Sequence, residues 1–304
     1  MIGRRGGPDV VVIGGGHGLA ATIRGVRRYA GSTTAVVATA DDGGSTGRLR
    51  SAKDMPAPGD LRRCLVAMAG LEQHPLGRAL EHRFAGTDVE GHALGNLLLA
   101  ALGEVMGDFP AAVDQVADLL GLDPEVARVL PATVEPVRLR GVTADGVEVV
   151  GQVAVSAAGG IARVALDPPG ARAPAGLVAA VKSADQVVLG PGSLYSSVLA
   201  AAVVEELREA VAATEAQRVY VCNLAAEAAE TKGYDVMRHV DAVRAHGIDI
   251  DVVLVHERPR GAGGVEAGAG SAVKVVAADL ARPHGLAHDS VKLGTALAAL
   301  ISVP

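Results

Sequence analysis

The sequence predicts an α/β protein built on a doubly wound, mostly parallel β-sheet. Its N-terminal part follows the order strand, glycine loop, helix, strand and loop. Residues 9–13 and 34–40 are short apolar runs, and residues 19–29 between them have helical periodicity. Hydrophobic residues make up 49% of the 304 residues, whereas aromatic residues make up only 2%. A core of Val, Leu, Ile and Ala suits buried parallel strands that are covered by Ala-rich helices.

A mostly helical block, residues 56–131, follows this opening and shows no strand signal. Its periodicity predicts helices at residues 60–71, 75–84, 94–106, 109–119 and 124–129. We expect this block to be an insertion within a single domain that spans residues 1–304, and to cover one edge of a ligand cleft.

Residues 133–166 change to a β pattern, with two or three short strands separated by Asp145-Gly146 and Gly159-Gly160. Both dipeptides are hairpin signals, so an antiparallel excursion from the main sheet is expected. The remaining chain alternates again between strands and helices. Strands are predicted at residues 186–189, 218–222, 251–256 and 272–277. Helices are predicted at residues 177–183, 197–213, 234–247 and 290–301.

Composition excludes several functional classes. The net charge of −6 and the scarcity of aromatic side chains argue against nucleic-acid binding. No apolar stretch reaches membrane-spanning length without a glycine or a charge. Cys64 and Cys222 are far apart and form neither a disulfide framework nor a CxxC metal motif, which predicts a reduced, cytoplasmic protein.

The first candidate binding element is the glycine loop between the first strand and the first helix. It contains Gly14, Gly15, Gly16, His17 and Gly18. Glycines let the backbone approach a phosphate closely, and the free amides and dipole of the following helix attract an anion. A tight turn that needs positive φ is the alternative interpretation, but four glycines in five positions exceed what a turn needs.

A second candidate element follows the second strand. It contains Asp41, Asp42, Gly43, Gly44, Ser45 and Arg48. Either aspartate could bind Mg²⁺ on a diphosphate or hydrogen-bond a ribose, and Arg48 or Arg50 could hold a phosphate in its guanidinium fork. Mg²⁺ is the one cofactor that these residues suggest. A solvated Asp-Gly turn is the alternative. An ordinary dinucleotide fingerprint fits poorly, because its acidic residue should come sooner after the glycines.

Three further loops are expected near the same edge of the sheet. Asn96 begins an apolar helix, where its amide could cap the helix or point into a cleft. Gly190, Gly192 and Ser193 again join a strand to a helix, as a second phosphate cradle or as a rigid turn with a serine cap. Asn223 stands at the tip of the next strand.

Seven segments resemble, in order, the YvcK family of gluconeogenesis factors: GGGHGLAAT, TADDGGSTGRLR, PAPGDLRRCL, GHALGN, LGPGSLYSSVL, VCNL and HDSVKLGTAL. The resemblance spans about residues 10–300, and TADDGGSTGRLR is its most specific part. This family belongs with the CofD-like phospholactate transferases in one superfamily.

The resemblance implies a Rossmann-like core with an added helical block. It also implies binding of UDP-sugars such as UDP-N-acetylglucosamine, a role in cell-wall growth, cell shape and growth on gluconeogenic carbon sources, and a homodimer by analogy. The transferase branch moves a phospholactyl-type group from a guanosine diphosphate carrier to a deazaflavin, using Mg²⁺. Asp41 and Asp42 fall where that branch has a metal-binding aspartate.

One segment departs from the family pattern. Many YvcK relatives carry Thr-Gln-Pro-Gly-Glu-Thr after VCNL, whereas residues 225–231 here read AAEAAET, so only Glu230 and Thr231 match. If that stretch touches the ligand, this chain binds a different sugar or binds it more weakly.

Three functions are compatible with these motifs. The first is a regulatory protein that binds a nucleotide sugar, and the second is a CofD-like transferase. The third is an NAD(P)-dependent oxidoreductase, which needs a ribose-binding acid soon after the first helix and a proton donor, neither of which is evident. The scarcity of aromatics favours the first function over the second, because a deazaflavin needs a stacking surface.

Overall fold

The computed structural model describes residues 6–86, 88–225, 229–257, 273–283, 285 and 287–301. In this part of the chain ten strands form: β1 (Asp9–Gly14), β2 (Ser32–Val37), β3 (Ala127–Pro131), β4 (Arg138–Thr143), β5 (Glu148–Val150), β6 (Ile161–Asp167), β7 (Gln186–Leu189), β8 (Gln217–Val221), β9 (Val252–His256) and β10 (Lys274–Ala278). They build one seven-stranded sheet and one three-stranded sheet.

Helices cover both faces of the large sheet. Those before the small sheet are α1 (Gly16–Val26), α2 (Gly44–Ala52), α3 (Gly59–Ala69), α4 (Pro75–Glu81), α5 (Leu94–Met106) and α6 (Phe109–Leu119). Those within and after it are α7 (Gln152–Ala157), α8 (Leu177–Ser183), a π-helix (Leu194–Leu199), α9 (Ala200–Ala202), α10 (Glu205–Ala213), α11 (Val236–Ala245) and α12 (Ser290–Ile301).

The large sheet is parallel throughout and has the order β10-β9-β8-β7-β1-β2-β3. Side chains alternate between its two faces, so Val11 and Ile13 belong to one core cluster, and Val10 and Val12 belong to the other. Both clusters are built almost entirely from aliphatic residues. A sheet that is buried on both faces is the arrangement that the composition predicts, and the predicted doubly wound α/β fold is confirmed.

The strand order reverses at β1. The chain moves from β1 outward to β2 and β3 on one side, and later returns to β7 on the other side before moving outward to β10. Ligands of open α/β sheets bind outside the carboxyl ends of the strands at such a reversal. The loops that follow β1 and β7 are therefore the ones that this topology places at the expected ligand site.

The predicted antiparallel excursion is the small sheet, with the order β5-β4-β6. It contains one helix that the sequence pattern did not indicate, α7. Its strand β6 packs against α9, α11 and the π-helix, so the small sheet covers helices on one face of the large sheet.

Three further elements differ from the predictions. The helix predicted at residues 124–129 is wrong: residues 127–131 form β3 and extend the large sheet beside β2. A short apolar run fits a buried strand as well as a helix, which explains the error. Helix α2 occupies part of the segment predicted as a loop. The long helix predicted at residues 197–213 is divided into the π-helix, α9 and α10.

No helix in the described ranges has the length and apolar character needed to cross a bilayer. A single domain with residues 56–131 as its insertion stays a prediction.

Candidate functional site

The glycine loop after β1 begins α1, as predicted, but one of its amides already has a protein partner. Gly15 is the N-cap of α1 in extended conformation, and the Gly16 amide donates a hydrogen bond to Asp60 Oδ2 at 2.6 Å. Asp60 lies in the first turn of α3 and pairs with Arg63 at 2.6 Å. The protein thus supplies its own anion at the start of α1, where helix amides and the helix dipole favour negative charge.

The loops after β1 and β7 are in direct contact. A Cβ atom on Gly18 would lie 2.1 Å from the Pro191 carbonyl oxygen, so only glycine allows this approach. The Thr22 hydroxyl on α1 also donates to the Gly190 carbonyl oxygen at 3.1 Å. The structure therefore brings the two glycine loops together at the reversal of strand order.

Asn223, which follows β8, fixes the backbone of the loop after β7. Its Oδ1 accepts from the Gly192 amide and its Nδ2 donates to the Gly192 carbonyl, each at 3.0 Å. Ser193 is the N-cap residue of the π-helix that starts immediately afterwards. Asn223 thereby links the loops of two neighbouring strands.

A cavity of about 710 Å³ opens beside these loops. It is lined by His17, Gly18, Ala21, Arg24, Pro191, Gly192, Asn223, Leu224, Ala225, Arg282, Gly285, Ala287 and His288. We call it the switch-point cavity. Four of the predicted site residues line it: His17, Gly18, Gly192 and Asn223. Its volume lies within the range of small-molecule sites.

Two histidines of the switch-point cavity are held toward their neutral form. The Arg63 guanidinium lowers the pKa of His17, and burial lowers it further, while the charge of Asp60 acts in the opposite direction. Burial lowers the pKa of His288 to about 4. Near neutral pH the positive charge on this cavity therefore comes from Arg24 and Arg282.

The two adjacent aspartates after β2 have different surroundings. Asp42 accepts from the amides of Gln152 and Val153, at 3.0 and 2.9 Å, and so caps the start of α7. Asp41 is half-buried and accepts from the Gly43 amide at 3.0 Å. Burial raises the pKa of Asp41. A metal role for either residue stays a prediction, but the two carboxylates do not share one environment.

The remaining predicted residues of this region support α2 and its neighbours. Ser45 Oγ lies 3.1 Å from His92 Nδ1 and accepts from Asn96 Nδ2 at 3.0 Å. Asn96 Oδ1 in turn accepts from Arg62, whose guanidinium is only 2% exposed and forms two hydrogen bonds with Glu81. This buried chain of hydrogen bonds joins α2, α3, α4 and α5.

Three other predicted residues also have backbone roles. Arg48 donates to the Glu90 carbonyl oxygen at 2.7 Å. Gly43 is the N-cap of α2, and Gly44 follows it at φ +47°. None of the predicted residues between Asp41 and Asn96 lines the switch-point cavity.

Two carboxylates that contact the predicted anion cradles were not among the predicted site residues. Besides Asp60, the buried Glu230 accepts from the Ser196 amide at 2.7 Å, in the first turn of the π-helix. Asp60 could have been found as an acid in the first turn of a helix that follows PAPG. Glu230 is one of the two residues that keep the family pattern after β8. Of the stretch that departs from the pattern, residues 226–228 lie outside the described residues.

The side chains around Asp41 fit a magnesium ion only with help from a ligand. Asp41, Asp60 and the hydroxyl of Thr46 surround the start of α3: a Cβ on Gly59 would meet Thr46 Oγ1 at 2.6 Å and Asp41 Oδ2 at 3.5 Å. All three groups offer the oxygen donors that Mg²⁺ prefers. In the described part of the chain, no three His, Cys, Asp or Glu side chains are grouped to hold a metal alone. Phosphate oxygens of a ligand would complete such a site.

Comparisons with known proteins agree with this architecture. The family model described as 2-phospho-L-lactate transferase CofD matches residues 10–293. A gluconeogenesis factor from Halalkalibacterium halodurans is 41% identical over 255 residues, which cover 83% of this chain and 78% of the relative. A relative from Mycobacterium tuberculosis is 41% identical over 308 residues, which cover 95% of this chain and 89% of the relative. A relative from Nostoc sp. is 40% identical, and the match spans 56% of its length.

A solved structure shows the same fold. The crystal structure of a member of the UPF0052 family from Bacillus halodurans superimposes with a TM-score of 0.88 at 35% sequence identity. The match covers 96% of this chain and 98% of that one. Together with the family model and the relatives, it shows that the chain belongs to the CofD family and, within it, to the gluconeogenesis factors.

Proposed function

We propose that the switch-point cavity binds a nucleotide sugar resembling UDP-N-acetylglucosamine. In this proposal the chain is a cytoplasmic regulatory factor that links carbon metabolism to cell-wall growth and cell shape. The single observation that carries the binding site is the contact of two glycine loops, around Gly18 and Gly192, beside a 710 Å³ cavity at the reversal of strand order.

The lining suits an anionic ligand with a polar body. Arg282 supplies positive charge, as does Arg24, whose Nη1 also donates to Glu72 at 3.2 Å, and arginine forks match the geometry of phosphate oxygens. No aromatic ring apart from those of His17 and His288 lines the described part of the cavity, so binding there relies on hydrogen bonds and charge. A diphosphate that carries a sugar offers negative charge on its phosphates and hydrogen-bonding groups on its sugar.

Two features support the physiological part of the proposal. The relative from H. halodurans is named a gluconeogenesis factor, which connects the family to carbon metabolism. Cys64 and Cys222 are both free and buried, as suits a reducing compartment. A homodimer stays a prediction from the family resemblance.

A phospholactyl-type transferase is the second candidate function. The family model carries that description, and Asp41 with Asp60 could hold Mg²⁺ together with a diphosphate carrier. Against it, a flat acceptor needs a stacking surface that the cavity lining does not provide.

A thermal-shift and calorimetry screen with and without Mg²⁺ tests both candidates. UDP-N-acetylglucosamine should raise the midpoint more than GDP or NAD, since a ligand at a hundred times its dissociation constant stabilises by about 2.7 kcal/mol. The exposed Arg282→Gln should weaken that binding. Arg78→Gln, an exposed arginine on α4 outside the cavity, is the charge-matched control.

The outcomes separate the hypotheses. The largest shift with NAD would contradict the proposed ligand class. Strong binding of GDP with turnover of a phospholactyl-carrying guanosine diphosphate would favour the transferase. Equal effects of Arg282→Gln and Arg78→Gln would remove the switch-point cavity as the binding site.

A further inference from the structure

A second cavity lies away from the carboxyl edge of the large sheet. Its volume is about 480 Å³, and it shares no lining residue with the switch-point cavity. Its walls are β6, residues 169–171, residues 203–208 at the start of α10, and residues 244–247 at the end of α11. The small sheet thus closes a crevice over two helices of the main layer, and we call it the arginine cavity.

Three arginines from three elements line the arginine cavity: Arg163 on β6, Arg208 on α10 and Arg244 on α11. Glu205 is the one acidic side chain in the lining, so the lining has an excess of positive charge. Within the described residues none of the three guanidinium groups forms a side-chain hydrogen bond. The closest carboxylate oxygens, of Glu205 to Arg208 and of Asp249 to Arg244, lie at 4.0 and 3.7 Å.

These distances differ from those of the arginines that serve the fold. Arg218 forms two hydrogen bonds with Asp251, at 3.0 and 2.8 Å, and Arg62 does the same with Glu81. A paired guanidinium has its donor fork occupied by a carboxylate. The guanidinium groups of Arg163, Arg208 and Arg244 keep N–H donors available for an anion that enters the arginine cavity.

His246 contributes a neutral wall. The Val164 amide donates to its Nε2 at 3.0 Å, so Nε2 must accept, and Nδ1 then carries the proton that is donated to the Ala242 carbonyl oxygen at 2.7 Å. Both ring nitrogens are used by the backbone. The positive charge of the arginine cavity therefore comes from its arginines alone.

The rest of the lining is small and apolar. Val164, Leu166, Ala171, Val203 and Val204 form this part, and Pro169, Gly170 and Gly247 leave backbone accessible. A volume of 480 Å³ exceeds what an inorganic ion needs and suits a small metabolite. Three arginines on three separate elements offer more donors than one planar carboxylate can use, which suits the oxygens of a phosphate group.

We propose that the arginine cavity is a second ligand site that binds a phosphate-bearing small metabolite. The arginines hold the phosphate group, and the apolar wall faces the carbon skeleton. This site is independent of the switch-point cavity and of the function proposed for it.

Calorimetry with inorganic phosphate, pyrophosphate and a hexose phosphate tests this proposal in the full chain. The hexose phosphate should bind more tightly than phosphate, because it also covers the apolar wall. The double variant Arg163→Gln/Arg244→Gln should weaken all three by about tenfold or more, since it removes charge-assisted hydrogen bonds. Arg163 is exposed and Arg244 half-buried, so both substitutions leave the core intact.

Two control variants locate the effect. Arg140→Gln on the adjacent β4 removes an exposed charge that pairs with Glu148, outside the arginine cavity, and should leave phosphate binding unchanged. Arg78→Gln removes an exposed charge on α4, outside both cavities, and should also leave it unchanged. A loss in Arg140→Gln or Arg78→Gln equal to that in the double variant, or no binding of any probe to the original chain, would overturn the proposal.

Discussion

Asp60 and Gly16 form a 2.6 Å hydrogen bond that joins α3 to the start of α1. The carboxylate takes a backbone amide that the sequence assigns to a ligand phosphate. Two negative groups cannot share one amide cradle without a cation between them or a movement of the side chain. We therefore expect the charge of Asp60 to affect how an anion binds at the glycine loop.

Asp60→Asn should strengthen binding of a nucleoside diphosphate in the absence of Mg²⁺ and reduce the effect of Mg²⁺. The amide of asparagine keeps an oxygen for Gly16 but removes the negative charge that repels phosphate. Calorimetry with and without Mg²⁺ measures both changes. Asp118→Asn, an exposed acid on α6, is the control for net charge. Weaker binding without Mg²⁺ in Asp60→Asn would contradict this expectation.

The adjacent aspartates should respond differently to substitution. Asp42→Ala removes both acceptors at the start of α7 and should lower the free energy of unfolding by about 1 kcal/mol, as for other lost helix caps. Asp41→Asn should instead reduce the dependence of ligand binding on Mg²⁺. Urea unfolding and calorimetry of the two variants check this division. The reverse pattern would assign the metal to Asp42.

Gly18→Ala should destabilise the protein by about 1–3 kcal/mol and weaken ligand binding, because overpacking forces backbone shifts. The new Cβ would lie 2.1 Å from the Pro191 carbonyl oxygen and would push the two loops apart. In Gly159→Ala, the control, the new Cβ would lie 3.9 Å from the Ala229 carbonyl oxygen. Urea unfolding compares the two variants, and equal stabilities would show that the loops do not need this close contact.

His288 should make stability depend on pH between about 6.5 and 4. The pKa of His288 in the folded chain is about 4, below the ordinary value of 6.5. Between these two pH values the unfolded chain binds a proton at His288 and the folded chain does not. The free energy of unfolding should therefore fall as the pH drops, by about 3 kcal/mol in total, and His288 should contribute nothing above this window.

The variant His288→Gln isolates this contribution. Its stability should fall less than that of the original chain when urea unfolding is repeated from pH 7 to pH 4.5. His82→Gln, on an exposed histidine after α4, should keep the original slope. Parallel pH profiles for His288→Gln and the original chain would show that His288 gains its proton without unfolding.

Much of the fold could be predicted because its signals are local. Strand β7 and helices α5, α6, α8 and α12 have the predicted bounds, since apolar runs and helical periodicity report directly on burial. Helix α2 was missed because its glycines resemble a loop, and the π-helix cannot be separated from α9 and α10 by periodicity alone. Strand β3 gained its identity from pairing with β2, which no short segment reveals.

The partners of the site residues were harder to predict. Asp60 lies 44 positions from the amide that it binds, and Glu230 lies 34 positions from its partner. Asn96 and Ser45 were expected near a ligand, yet each hydrogen-bonds to the other. Residue type and spacing indicate which side chains could bind an anion, whereas packing decides which of them the protein uses for itself.

The parallel order of β1 beside β7 has a consequence for biosynthesis. Thr22 meets Gly190 across 168 positions, and Asn223 hydrogen-bonds to Gly192 in the loop after β7. A ribosome must therefore release the chain as far as His288 before the switch-point cavity has all its walls. Nascent chains stalled before β7 would carry the glycine loop without the loop that contacts it, and chains stalled before Arg282 would lack one wall of the cavity.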